Sequence, residues 1–174
     1  MTRTSLYFLL LSIILLLAQG IVFSHVCLFG VAVPFVFIFV PITLPLTLNR
    51  NWVITIGFIM GMIVDIFCDT PGVNALAATL MSASRSSILR LYFPHEQDLT
   101  DPCPSIKSLG LSVFLRYLVT ITLLYSMIAM IADSLTFFNI LHIVSGIAGS
   151  TILSSALLLA LDYLTSTQRR EKRL

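Results

Sequence analysis

The sequence predicts an all-α fold: a polytopic membrane helical bundle of about six transmembrane helices, forming a single transmembrane domain over residues 1–174. Three observations predict it. Hydrophobic residues make up 57% of the chain and charged residues 10%, against roughly 25% charged content in ordinary soluble domains. Mean hydropathy is +1.01. Apolar runs of about 20 residues, long enough to cross a hydrocarbon core of roughly 30 Å as helices, recur along the chain.

The first span covers residues 5–24. Arg3 before an apolar run resembles a signal peptide, but the run is long and lacks an A-x-A cleavage site, so it is read as a membrane helix. The second span, residues 27–48, carries Pro34, Pro41 and Pro45. Each proline removes a backbone donor, so this helix is expected to bend or break. Kinked packing is the simpler outcome, and a broken helix forming a substrate site is the alternative.

The third and fourth spans, residues 52–68 and 72–93, form a tight hairpin. Gly57, Gly61 and Asp65 recur every four residues and so share one helix stripe. Small residues admit a neighbouring helix and a polar side chain can bond to it, which is how helices associate in lipid. Ala75, Ala78, Thr79, Ser82 and Ser86 form the stripe of the fourth span expected to face them. Thr70 is expected to cap that helix, with Pro71 at its first position and Gly72 easing the turn. Asp65 is read as a satisfied helix-to-helix contact, with a ligand, ion or proton site as the alternative. Buried without a cation, it would act as a neutral donor.

The fifth and sixth spans cover residues 109–132 and 137–164. Arg85 and Arg116 lie about two turns inside their helix ends and are expected to snorkel to the interface. The alternative is an intramembrane ion pair with Asp162. In the sixth span Ser145 and Gly149, and Gly146, Ser150 and Ser154, form close-packing faces.

Charge gives the orientation. Arg3, Arg50, Arg90, Lys107, Arg169, Arg170, Lys172 and Arg173 all fall in the N-terminal segment, the even-numbered loops or the C-terminal tail, and the odd loops contain no Lys or Arg. The positive-inside rule then places both termini in the cytoplasm, with the basic tail against anionic lipid or a partner.

No enzyme is expected, since the chain contains no G-x-S-x-G, H-E-x-x-H or G-x-x-x-x-G-K-[ST]. Cys27, Cys68 and Cys103 form no CxxC pair, and Cys27 and Cys68 are expected to stay unbridged. No metal or cofactor is expected, either at His142 or in the loop holding His95, Glu96, Asp98, Asp101 and Cys103. The tail is too short for a nucleic-acid patch.

The stretch GFIMGMIVDIFCDTPGVNAL, residues 57–76, resembles the characteristic segment of the MreD family of bacterial rod shape-determining membrane proteins. That family pairs F-x-x-G-x-x-x-D with a downstream G-x-x-A-L, here Phe58, Gly61, Asp65, Gly72, Ala75 and Leu76. The resemblance implies a non-enzymatic scaffold in the inner membrane, similar in fold to the S component of energy-coupling-factor transporters. It implies as partners MreC, MreB and the synthase and transpeptidase that build peptidoglycan, and it brings no catalytic motif. The alternative function is a small-molecule, vitamin-type binding membrane subunit of a transporter.

Overall fold

A computed structural model describes the backbone of residues 2–23, 33–93, 103–133 and 140–171, and the side chains of residues 8–21, 33–93, 103–133 and 143–165. Cys27, the acidic part of the loop after Phe93 with His95, Glu96, Asp98 and Asp101, the His142 side chain and the basic side chains of the tail lie outside the described residues. Every regular element among the described residues is helical. In order they are α1 (Thr2–Ala18), which runs into one π-helical turn (Gln19–Phe23), α2 (Phe39–Thr43), α3 (Arg50–Cys68), α4 (Val73–Tyr92), α5 (Ile106–Leu109), α6 (Leu111–Asp133) and α7 (Ile140–Glu171).

Three stretches are long and apolar enough to cross a membrane: Arg50–Cys68, Leu111–Asp133 and Ile143–Thr165. The apolar helix Phe8–Ile21 is shorter. The 20-residue α4 has the length, but Asn74, Ser82 and Arg85 make it more polar than its neighbours. All three of those side chains are buried. The main helices pack in a row, α3 on α4, α4 on α6 and α6 on α7, with α1 against α3. Because α4 lies inside that row, its polar face meets protein.

The expected second membrane helix is not continuous. Residues 33–36 have no regular structure, residues 37 and 38 turn, and only the five residues of α2 are helical before the chain loops into α3. The prolines explain the break. Pro34 lies in the non-helical segment, and Pro41 sits in the first turn of α2, where a missing N–H costs nothing. Pro45 follows the Leu44 C-cap and prevents continuation.

This interrupted segment is the centre of the molecule. Phe37, Ile38, Phe39, Val40 and Ile42 are all at most 2% exposed. Backbone that leaves a helix at such depth needs partners, because an unpaired buried amide costs about 1–3 kcal/mol. Its neighbours supply them. The Val33 N–H donates to Ser150 Oγ at 3.0 Å and the Phe35 N–H to Ser154 Oγ at 2.9 Å. Gln19, in the π-helical turn, accepts from the Val36 N–H at 2.8 Å and donates to the Pro34 carbonyl at 3.0 Å. The faces of α7 expected to serve close packing therefore also hold backbone, through Ser150 and Ser154.

Gln19→Leu strands one buried donor and one buried acceptor. It is expected to lower stability by about 2 kcal/mol or more, read as an earlier unfolding transition of the detergent-solubilised protein. Ser155→Ala, a hydroxyl bonded only within its own helix, should leave that transition within about 0.5 kcal/mol.

Candidate functional site

Asp65 ends the stripe of α3 that faces α4. Gly57 and Gly61 let the two backbones meet: a Cβ at Gly61 would lie 2.6 Å from Ala75 Cα and 2.8 Å from Ala75 N, and one at Gly57 would run into Ser82 Oγ. Helices this close bring the Asp65 carboxylate, which is 7% exposed, onto the start of α4. Four donors point at it. Its Oδ1 accepts from the Asn74 N–H at 2.9 Å, Asn74 Nδ2 at 3.0 Å and Thr70 Oγ1 at 2.9 Å, and its Oδ2 accepts from the Ala75 N–H at 2.8 Å.

Asp65 is thus the cap of α4, delivered from the preceding helix. The N-cap residue is Gly72, at φ 83°, which has no side chain with which to cap. A Cβ at Gly72 would meet nothing within 4 Å, so glycine is required there for its left-handed backbone rather than for space. Thr70 does not cap α4 and Pro71 is not its first residue, because the left-handed Gly72 delays the helix to Val73. The Thr70 hydroxyl instead donates to the carboxylate that caps. Nor is Asp65 a donor: with donors on both oxygens, it accepts at both. A carboxylate at a helix N-terminus also meets the positive end of the helix dipole.

Asn74 extends the cluster to α6. Its Nδ2 reaches Thr70 Oγ1 at 3.0 Å, and its Oδ1 accepts from the Tyr125 hydroxyl. The fully buried Tyr125 ring meets Phe35 and Phe37 edge-on, with centroids 4.8 and 5.7 Å away. One chain of contacts thereby joins the hairpin, α6 and the central interrupted segment.

Arg85, Arg116 and Asp162 are not brought together as an ion pair. Arg85 does not snorkel: it is 5% exposed and donates through Nη2 to the carbonyl of Leu44, the C-cap of α2. The Tyr117 hydroxyl donates to the adjacent Ile42 carbonyl at 3.3 Å. The nearby carbonyl end of α2, with its partial negative charge, draws the cation inward. Arg116 is exposed. Asp162, 3% exposed, accepts from the Ile106 N–H at 3.0 Å and so supports the start of α5.

Of the residues singled out from sequence, Gly61, Asp65, Gly72 and Ala75 meet in one place, and Gly57 lies farther along the same helix contact, against Ala78 and Ser82. Phe58 and Leu76, 42% and 50% exposed, project from the outside of the same hairpin. Sequence reasoning assigned none of Gln19, Asn74 and Tyr125 to this framework. Gln19 carried a signal, as a lone amide within an apolar run; Tyr125 carried none.

Gly61→Val should fail to fold or unfold well below the parent, since backbone blocks its Cβ. By contrast Ser82, whose buried hydroxyl has no hydrogen-bond partner, should tolerate alanine, with Ser82→Ala unchanged or stabilised by up to about 1 kcal/mol. Thermal unfolding of the two variants checks both expectations. Compared with known proteins, the chain matches no family model, no curated protein and no solved structure.

Proposed function

We propose that this protein is a non-enzymatic scaffold of the MreD type in the bacterial cell-elongation complex, crossing the inner membrane six times with both termini in the cytoplasm. Its role is to hold MreC, together with MreB and the peptidoglycan synthase and transpeptidase, through contacts made in the bilayer.

The observation that carries this reading is the commitment of Asp65. A buried carboxylate in a membrane helix is by default a functional group, yet here both oxygens are taken by donors of the same hairpin. Its role is architectural. Gly61, Asp65, Gly72 and Ala75, four of the residues that carry the family resemblance, build that one joint. Phe58 and Leu76, the other two, face outward, where lipid or a partner helix would meet them. The one-sided distribution of Lys and Arg supports the six crossings and their orientation.

The transporter-subunit reading draws less support, because the polar side chains around the interrupted segment are engaged with its backbone. Mass spectrometry of the gently purified protein separates the two: a co-purifying single-span protein fits the scaffold, and a stoichiometric metabolite without such a protein fits the transporter subunit.

In rod-shaped cells that depend on this chain, Asp65→Leu is expected to reduce its accumulation, abolish co-purification of MreC and round the cells. Normal accumulation, normal co-purification and normal rods would overturn the reading.

A further inference from the structure

We infer that a cavity at the α3–α4 turn end of the bundle binds a small organic cation, an ammonium group on a compact apolar body. The cavity has a volume of about 190 Å³ and opens between the π-helical turn, the interrupted segment, the α3–α4 hairpin and the end of α6. Its walls include Val33, Phe35, Val64, Val73 and Ala129. A dry cavity of roughly 150 Å³ accepts a benzene molecule, so one ring with a short substituent fits.

The state of the polar groups decides the chemistry of the ligand. Gln19, Thr70 and Asn74 line the cavity, but Gln19 is bonded to Pro34 and Val36, and Thr70 and Asn74 are bonded to Asp65 and to each other. Asp133, the last residue of α6, also lines it and is exposed. Among the described residues its carboxylate has no hydrogen-bond or charge partner. Apolar walls with an anion at the rim that no described residue neutralises select a cation carried on hydrocarbon, and the phenyl ring of Phe35 suits that cation further. The ammonium could come from a free amine or from the head group of an aminophospholipid; the chemistry is shared. This inference goes beyond the scaffolding role and does not rest on it.

The test uses the full chain in nanodiscs of phosphatidylglycerol, with benzylammonium, benzyl alcohol and benzoate as probes and affinity read by native mass spectrometry. Benzylammonium should bind one per chain, roughly tenfold or more tighter than benzyl alcohol, a ratio in line with a hydrogen bond to a charged group. Benzoate should bind weakest. Asp133→Asn, at an exposed position, should leave the unfolding temperature unchanged and erase the preference for the cation. Val73→Phe should block all three probes. Competition by added phosphatidylethanolamine identifies a lipid head group as the occupant, and its absence identifies a free amine. Equal binding of benzylammonium and benzyl alcohol, binding unaffected by Asp133→Asn, or no binding would each overturn the inference.

Discussion

The fold depends on one constraint: backbone that leaves a helix inside a low-dielectric interior must be bonded to something other than water. Helix ends are where the bonding groups are exposed, and this chain places several of them at depth. Nearly every buried polar side chain described above goes to such an end. Asp65 takes the amides at the start of α4, Arg85 and Tyr117 reach the last carbonyls of α2, and Asp162 takes the first amide of α5. Gln19, Ser150 and Ser154 do the same for the interrupted segment. The signs follow the helix dipole, with carboxylates at amino ends and a guanidinium at a carboxyl end.

This arrangement explains how a chain so poor in charge can keep two carboxylates and an arginine inside. A buried ion pair can recover less than its two partners lose on leaving water. Hydrogen bonds between a charge and a helix terminus are different, because they also satisfy peptide groups that would otherwise be stranded. Asp65 and Arg85 therefore have no need of each other.

Much of the hairpin was legible in the sequence, because its determinants are local. The four-residue spacing of Gly57, Gly61 and Asp65 sets one stripe, and Asp65 lies only nine and ten residues from the amides it holds. A bend or break in the second apolar run was legible too, since proline acts on its own backbone, but the simpler outcome expected there was a kink, and the chain breaks outright. Where the freed groups would find partners was not legible, because Gln19 and Ser150 lie on distant helices and nothing in local periodicity links them to Pro34 or Val33. The snorkelling expected of Arg85 failed for a related reason, as did the ion pair with Asp162 given as its alternative. Opposite charges in apolar runs invite pairing, but the competing attraction, the carbonyl end of a five-residue helix, exists only once the chain is folded.

The separation of these contacts along the chain also orders its biogenesis. The Asp65 joint can close as soon as its two helices have left the ribosome, as all its bonds to α4 are short in sequence. The interrupted segment must wait: the amides of Val33 and Phe35 find their hydroxyls 117 and 119 residues later, on α7. Until α7 is in place, those two peptide groups have to be hydrated or lent a temporary partner, so the centre of the molecule is the last part to be completed.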